Sequence, residues 1–396
     1  MAAQPLTGLV VLEFAHTIMG PSCGLVLADL GADVIHVEPA PEGDRTRKLR
    51  GFGAGFFSYF NRNKRSVCID LKSPDGLAIA RDLIRGADVL LENFGPGAMD
   101  RLGLGWDDVH ALNPRLVYCA LKGFLPGPYE HRPALDEIVQ YMTGLAYMTG
   151  PPGRPLRAGA SVVDIMGGVM GVVGILAALR QRDADGPGGG IGQKVTSALY
   201  ESSAFLVAQH MAGQVVMNQP PPPMPVRGSA WGIYETFATA DGENLFIGIT
   251  SDNHWRAFCT HFQRPELLAD PRFATNGERV QNRAVLREIV AEIAAAHDIA
   301  TLSRMMEAAS IPFSPVRQPG DLFEDPQMNA HGRMLETRMV TGQTTKLPAL
   351  PLDFGGETPG MRHHPPQAGE QTDEILAALG YTPEKIAALR QAGAIS

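Results

Sequence analysis

One carboxylate stands near the start of an almost unbroken apolar run, "SVVDIMGGVMGVVGILAALR", which covers residues 161–180. Asp is among the residues that most often cap the N-terminus of a helix, so one interpretation is that Asp164 is a helix cap without a chemical role. The position also suits a nucleophile or a general base, because free amides and the positive end of the helix dipole favour an ionised carboxylate. The neighbouring segments must decide between these two interpretations.

Cations form a second chemical signal, since they recur in or beside the loops that follow predicted strands. They are His16, Arg45, Arg47, Lys64, Arg65, Lys72, Arg101 and Lys122. Each one alone is typical of a solvated surface charge, but their recurrence at the ligand-binding edge of a sheet predicts a site for phosphate groups. The first strand is not followed by G-x-G-x-x-G, and neither a P-loop nor a G-x-S-x-G occurs. Dinucleotide binding, nucleoside triphosphate hydrolysis and serine esterase chemistry therefore have no motif support.

The elements that must position these residues are visible as an alternation of strands and helices. Short runs rich in β-branched residues, "LVVLEF", "DVIHVE", "SVCIDL", "DVLLEN" and "LVYCAL", are separated by helical segments such as "SPDGLAIARDLIRGA". This pattern predicts an α/β fold with an open, mostly parallel, Rossmann-like sheet. Ligands of such sheets bind in the loops beyond the carboxyl ends of the strands.

A proline-rich segment divides the chain into two expected domains. Residues 216–230 predict a linker, because a polyproline run cannot continue a helix. Residues 1–215 are expected to form a large α/β domain that residues 325–396 complete, and residues 231–324 a smaller α+β domain. The small domain should begin with a hairpin that turns at Asp241 and Gly242.

Composition narrows the class of protein further. The chain has 396 residues, 44% of them hydrophobic, and a net charge of −8 without a polybasic face, so we expect neither nucleic acid nor a membrane as partner. Four widely spaced cysteines without a CxxC pair predict reduced thiols, and no clustered ligand set predicts a metal site. The N-terminal residues lack a secretory signal, so we expect a cytoplasmic protein. The uncharged stretch 165–179 is too short to span a membrane and predicts a buried helix.

Several segments together carry a resemblance to a known family. They are "GLVVLEFAHTIMGPSCGLVLADLGADVIHVEP", "NRNKRSVCIDLKSPDG", "ADVLLENFGPGAMDRLGL", "NPRLVYCALKGF" and "AGEQTDEIL". In type, order and spacing they closely resemble the family III CoA-transferases, the group of formyl-CoA and carnitine CoA-transferases. The resemblance covers essentially the whole chain.

The resemblance implies roles for residues of this sequence. Asp164 matches the family's nucleophile, which forms aspartyl anhydrides and an aspartyl-CoA thioester while CoA moves from an acyl-CoA donor to a carboxylic acid. CoA is then a substrate, with no tightly bound cofactor, and the expected assembly is an interlocked homodimer. The positions that match the family's CoA contacts are His16, Thr17, Ile18, Met19, Ile69, Lys72, Asn93, Phe94, Ala98, Arg101 and Lys122.

Three departures from the formyl-CoA transferases bear on the substrate. Ile18 and Met19 replace a polar and small pair, Pro39 stands where an arginine binds the nucleotide, and a multi-glycine loop after the linker is missing. These differences argue against formate and oxalate, and either Arg45 or Arg47 can take the role of the missing arginine.

The chain is similar to family members that use four- and five-carbon dicarboxylates, which makes succinyl-CoA or a similar thioester the expected donor. Asp136, Arg47 and Arg227 are candidate substrate residues, and Asp136 can alternatively be a helix cap. Arg154, Arg157 and Arg227 are arginines that can clamp a distal carboxylate. Both an intermolecular transfer of CoA and a transfer between the two carboxylates of one dicarboxylic acid are compatible with the sequence.

Two other functions are alternatives to CoA transfer. The α-methylacyl-CoA racemases share the fold, but they abstract a proton with a histidine that directly precedes an aspartate, and here Leu135 precedes Asp136. Racemisation would require His131 to substitute. The other alternative is a noncatalytic CoA-binding protein, in which Asp164 only caps its helix.

Overall fold

The larger unit is built on a six-stranded sheet in which every strand pair is parallel. A computed structural model describes residues 4–184 and 189–396. The strands are β1 Val10–Phe14, β2 Asp33–Pro39, β3 Lys64–Ile69, β4 Val89–Glu92, β5 Val117–Lys122 and β6 Lys194–Ala198. Their order is β3-β2-β1-β4-β5-β6, so the strand order reverses beside β1, where α/β sheets bind ligands. The five predicted strands and the parallel sheet are confirmed, and β6 is an addition.

Helices cover both faces of this sheet and bury two apolar cores. They are α1 Met19–Asp29, α2 Phe56–Phe60, α3 Pro74–Arg85, α4 Ala98–Arg101, α5 Trp106–Leu112, α6 Asp136–Met142, α7 Leu145–Thr149, α8 Val162–Arg182 and α9 Leu199–Met217. One core joins the sheet to α3 and α5, and the other joins it to α1 and α8. A doubly wound sheet results, as the alternating pattern predicts.

The C-terminal residues return to this unit. They form α15 Pro326–Asn329, β10 Met334–Arg338, β11 Thr344–Pro348, α16 Thr372–Ala378 and α17 Pro383–Gln391. Apolar residues of α16 and α17 enter the first core, and the Asp70 amide donates to the Ala394 carbonyl. The compact unit thus comprises the residues up to Pro225 together with Phe323–Ser396.

The smaller unit comprises Val226–Leu322 and has its own core. It contains a three-stranded antiparallel sheet, β7 Ile233–Ala238, β8 Asn244–Ile249 and β9 Phe313–Pro315. Its helices are α10 Asp252–His261, α11 Pro265–Ala269, α12 Asn276–Gln281, α13 Arg283–Ala295 and α14 Ile299–Ala308. The hairpin with its turn at Asp241 and Gly242 is confirmed. The linker starts later than the predicted residue 216, because α9 continues to Met217.

The long apolar helix α8 approaches its neighbours closely. A Cβ atom at Gly168 would lie 2.7 Å from the Met19 carbonyl oxygen of α1, and glycine therefore permits this contact. Within residues 4–184 and 189–396, α8 alone has the length and apolarity to cross a membrane, and 44% of its most apolar window is buried in the protein. Val173 remains 56% exposed on its outer face.

Candidate active site

A first cavity of about 570 Å³ lies at the carboxyl ends of β1 to β4. Its apolar wall includes Val37, Pro39, Ile69, Leu71 and Leu102, and its polar lining includes Glu38, Asp44, Arg45, Thr46, Asp70 and Lys72. Ile69 is fully buried at the end of β3, whereas Arg45 and Lys72 are exposed. An apolar wall with exposed cations at the rim suits a planar base together with phosphate groups.

Half of the cations that predicted the phosphate site are already neutralised. The ion pairs are Arg47 with Glu38, Lys64 with Glu13, Arg65 with Asp33, and Lys122 with Glu92, at N···O distances of 2.5–2.8 Å. A buried or half-buried cation that holds a carboxylate has little left for a ligand. These four are therefore weaker candidates for binding phosphate than unpaired cations, and Arg47 is a weaker candidate for binding the substrate.

Apart from His16, the predicted cations that line the first cavity without an ion pair in the described part of the chain are Arg45 and Lys72. Arg45, rather than Arg47, is therefore placed to substitute for the arginine that Pro39 replaces. Ala98 and Arg101 lie on the short helix α4, and neither is among the described residues that line the two cavities.

A short loop after β1 separates this cavity from a second one. His16, Thr17 and Phe94 line both cavities. The amide of His16 donates to Asn93 Oδ1 over 3.0 Å, and Asn93 Nδ2 donates back to the His16 carbonyl over 2.9 Å. Burial lowers the pKa of His16, so its ring is neutral at pH 7 and stacks on Phe94.

The backbone of this loop is held in an uncommon conformation. Thr17 has a φ of 69°, in the left-handed region that few threonines adopt. Its amide donates to Thr46 Oγ1 over 3.0 Å, and the Thr46 hydroxyl donates to Asp44 Oδ1 over 2.8 Å. The loop therefore rests on a buried polar support beneath the first cavity.

Asp44 belongs to a buried charged cluster that also includes Glu13, His36 and Lys64. His36 Nδ1 lies 2.8 Å from Glu13 Oε1, and its Nε2 lies 3.6 Å from Asp44 Oδ2. Neither contact is aligned as a hydrogen bond, so both are ionic. Although burial opposes its charge, these carboxylates raise the pKa of His36 to about 9, and the imidazolium links the sheet to the loop support.

The second cavity has a volume of about 620 Å³ and contains Asp164. Ile18 and Met19, at the start of α1, contribute apolar lining, and Asn93 and Lys122 contribute polar groups. The shared residues of the loop make the two cavities neighbouring parts of one cleft. The cleft therefore joins the exposed cations of the first cavity to the carboxylate of the second.

The helix that carries Asp164 is capped by another residue. Ser161 is the N-cap of α8 and makes no side-chain cap bond, and Asp164 is the third residue of the helix. The amides of Val163 and Asp164 donate to Asp136 Oδ2 over 2.9 and 3.1 Å. The interpretation of Asp164 as the N-cap is wrong, and Asp136 caps α8 from the start of α6.

Asp136 itself is held by Gln140, one turn further along α6. Gln140 Nε2 donates to Asp136 Oδ1 over 2.5 Å, and both side chains are buried. The Asp136 oxygens are therefore engaged by the protein, which favours the cap among the two roles considered for this residue.

The carboxyl of Asp164 is less acidic than the sequence predicts. Burial raises its pKa to about 7, the nearby Asp136 adds to the rise, and Arg157 acts in the opposite direction. The helix N-terminus therefore does not keep this carboxyl strongly acidic. A pKa near neutrality leaves a large fraction ionised at pH 7 and makes the anion a better nucleophile than an ordinary carboxylate.

Arg157 is the arginine among the three proposed clamps that lies in the second cavity. Its Nε is 2.7 Å from Glu137 Oε1, and its Nη1 is 3.8 Å from Asp136 Oδ1. Arg154 and Arg227 are exposed and are not among the described lining residues, and Arg227 belongs to the smaller unit.

Sequence reasoning missed three residues that hold the site together. Glu92 pairs with Lys122, Gln140 holds Asp136, and Thr46 supports the loop at Thr17. Glu92 and Thr46 act on partners about 30 positions away, which no local pattern shows, whereas the i to i+4 spacing of Asp136 and Gln140 on one helix was a readable signal.

Comparison with known proteins agrees with this architecture. The model of CoA-transferase family III matches residues 6–372. The succinate–glutarate CoA-transferase of Agrobacterium fabrum is 33% identical, over 95% of this chain and 96% of its own. The formyl-CoA:oxalate CoA-transferase of Bradyrhizobium diazoefficiens is 31% identical, over 99% of this chain and 98% of its own. A crystal structure of a CAIB/BAIF family protein from Brucella suis matches with a TM-score of 0.83 and 32% sequence identity. The match covers 96% of this chain and 100% of the Brucella chain.

These matches extend over nearly the whole chain and include the sheet, the loop after β1 and α8. The protein belongs to CoA-transferase family III. It is therefore an enzyme that acts on CoA thioesters, as the resemblance predicts.

Proposed function

We propose that this enzyme transfers CoA from succinyl-CoA, or a similar dicarboxylyl-CoA, to a carboxylic acid acceptor, with Asp164 as the nucleophile. The observation that carries the proposal is the placement of Asp164 in the second cavity, which is partly lined by apolar side chains and adjoins the first cavity with its exposed cations. The relatives named for succinate, glutarate and oxalate support a dicarboxylate substrate.

CoA would lie along the cleft, with its ends in different cavities. Arg45 and Lys72 would meet the phosphates, and Ile69 and Leu71 would contact the adenine. The pantetheine arm would pass His16 and reach the thioester site beside Asp164. Because His16 is neutral there, it can face this apolar arm without the cost of burying a charge.

The first half of the reaction releases the donor acid. An Asp164 carboxylate oxygen attacks the thioester carbonyl, the C–S bond breaks, and CoA thiolate leaves with the electron pair. The thiolate then attacks the aspartyl carbonyl of the mixed anhydride, which expels the donor carboxylate and forms an aspartyl-CoA thioester. No net proton is consumed.

The second half repeats these steps with the acceptor. The acceptor carboxylate attacks the aspartyl-CoA carbonyl and expels the thiolate, which gives a second anhydride. The thiolate attacks the acceptor carbonyl, the new acyl-CoA forms, and the Asp164 carboxylate is restored. The apolar lining of the second cavity, including Ile18 and Met19, would limit hydrolysis of the anhydrides by water.

Acyl exchange tests this function directly. The enzyme is incubated with succinyl-CoA and a panel of carboxylic acids, and new CoA thioesters are measured by mass spectrometry. We expect Asp164→Ala to lower the rate by at least about 10³-fold, because it removes the nucleophile. Asp108→Ala changes an exposed carboxylate in the first turn of α5 and should leave the rate unchanged. Equal rates for Asp164→Ala and the wild type would refute the mechanism.

Racemisation is the second candidate, and one observation favours it: His131 lines the cavity of Asp164. This side chain is 86% exposed and lies 3.1 Å from Glu130. Incubation of a branched acyl-CoA in deuterated water distinguishes the reactions. Incorporation of α-deuterium without acyl exchange would replace transfer by racemisation, whereas CoA binding without either reaction would indicate a noncatalytic protein.

We further propose a homodimer that acts in the cytoplasm. Large apolar side chains stand exposed along α9, among them Phe205, Val215 and Val216, and such a surface is typical of an interface. The four cysteines are free and buried, which suits a reducing compartment.

A further inference from the structure

Arg157 is held on a fixed backbone at the wall of the catalytic cavity. The Leu156 amide donates to the Ala146 carbonyl over 3.0 Å, and the Ala158 amide donates to Gln140 Oε1 over 2.9 Å. Both neighbours of Arg157 are therefore anchored. Its side chain is 22% exposed, and its guanidinium lies 5.0 Å from the centre of the Phe52 ring.

The carboxylate that Arg157 contacts most closely is poorly buried. Glu137 lies 2.7 Å from Arg157 Nε and is 59% exposed. Glu137 can therefore turn into water at small cost. Asp136, by contrast, is 3.8 Å away and is engaged as the cap of α8.

The other cations of this cavity are less suited to a ligand. Lys122 is paired with Glu92, and burial leaves His16 neutral. Arg132 is exposed, and its guanidinium lies over the Tyr129 ring. Arg157 is thus the partly buried cation of the cavity, within the described residues, whose nearest carboxylate can move away.

We propose that Arg157 binds the distal carboxylate of a dicarboxylic acid and that Glu137 occupies this place when no substrate is bound. The proposal rests on the proposed function, because it concerns the acid that reacts at Asp164. Arginine suits this role, since its planar guanidinium can hold a carboxylate through two hydrogen bonds. Arg157 then selects dicarboxylates over monocarboxylates of the same shape.

A competition between two acceptors measures this selection. Glutarate and its monoamide, glutaramate, have nearly the same shape, but only glutarate carries a distal charge. Both are added together with succinyl-CoA, and the two new thioesters are quantified by mass spectrometry. The product ratio reports the relative kcat/KM of the acceptors, so the donor step and any change in the pKa of Asp164 cancel.

The variants are chosen to separate charge from structure. We expect Arg157→Met to lower the glutarate preference by about 10- to 100-fold, and Arg157→Lys to lower it less. Glu137→Gln should raise the preference by about threefold, because the competing charge is removed. Arg132→Met, at an exposed arginine of the same cavity, should leave the ratio within about twofold.

Different outcomes reject different statements. If the wild type makes thioesters from both acceptors without preference, or if Arg132→Met changes the ratio and Arg157→Met does not, the role of Arg157 is refuted while transfer stands. If the wild type makes neither thioester and exchanges CoA with no other acid of the panel, the proposed function fails, and this inference fails with it. Exchange with monocarboxylic acids alone refutes the role of Arg157 while transfer stands. If Arg157→Met is inactive with both acceptors, an unchanged ratio in Arg157→Lys and Glu137→Gln refutes the proposal, and the expected shifts support it.

Discussion

At the scale of single residues, the site pairs the proposed nucleophile, Asp164, with the residue that caps its helix. Asp136 supplies the acceptor that the first amides of α8 need, so it fixes the position of Asp164. The same carboxylate adds negative charge nearby and helps to raise the pKa of Asp164 to about 7. Position and nucleophilicity of Asp164 therefore depend on one neighbour.

This coupling predicts a pH effect. With the Asp164 anion as the proposed nucleophile, kcat/KM for the acyl-CoA donor should fall as pH decreases through about 7, where Asp164 takes up a proton. Asp136→Asn removes a negative neighbour while keeping an acceptor for the amides, so the midpoint should move to lower pH, by roughly one unit. Initial rates of the wild type and of Asp136→Asn from pH 5 to 9 measure the two midpoints.

Glu137→Gln is the control for this profile, because Glu137 is the adjacent carboxylate and is not among the groups that shift the pKa of Asp164. An unmoved midpoint in Asp136→Asn, with a normal melting temperature, would contradict the assigned coupling.

The sequence pointed to Asp164 as the candidate nucleophile, but it did not show which residue holds Asp164 in place. Asp164 is the single acidic residue in an apolar run, and the family resemblance assigned its role. Asp136 lies 28 positions away on a different helix, and no local pattern pairs the two. The pairing of Lys64 with Glu13 joins β3 to β1 across β2, between residues 51 positions apart, so a count of cations in the sequence could not show that Lys64 is paired.

At the scale of elements, the contact between α1 and α8 positions the wall of the cavity that contains Asp164. A Cβ atom at Gly168 would collide with the Ser22 hydroxyl and lie 2.7 Å from the Met19 carbonyl oxygen. Gly168→Ala should therefore push α1 away and lower the free energy of unfolding by about 1–3 kcal/mol. It should also reduce activity, since Ile18 and Met19 line the cavity. Urea unfolding and initial rates measure the two effects.

Gly213→Ala provides the matched control, because a Cβ atom there would meet only Met217 Cε at 3.7 Å. Gly213 lies within helix α9, where replacing glycine by alanine should stabilise the protein by about 0.5–1 kcal/mol. Equal stability of the two variants would argue against a tight contact between α1 and α8.

Strands could be predicted from the sequence wherever the residues that specify them are adjacent in the chain. The five strands β1 to β5 and the hairpin of β7 and β8 follow from short β-branched runs and a turn signal. β6, "KVTSA", is short, begins with a lysine and lacks such a run, so its place beside β5 depends on tertiary pairing.

At the scale of the whole molecule, α9 presents an apolar surface that folding of the larger unit leaves uncovered. Phe205, Met211, Val215 and Val216 are between 62% and 87% exposed. Burying a side chain of this kind contributes about 1.5–3 kcal/mol, so a partner that covers several of them would bind tightly. A second copy of the chain is the proposed partner.

Val215→Glu together with Val216→Glu places two charges on this surface, which should cost several kcal/mol in a dimer and little in a monomer. Light scattering after size-exclusion chromatography should therefore give a dimer for the wild type and a monomer for the double variant. Val285→Glu, at an apolar residue of α13 that is 40% exposed, should leave the dimer intact. A monomeric wild type would reject the dimer, and a dimeric double variant would show that α9 lies outside the interface.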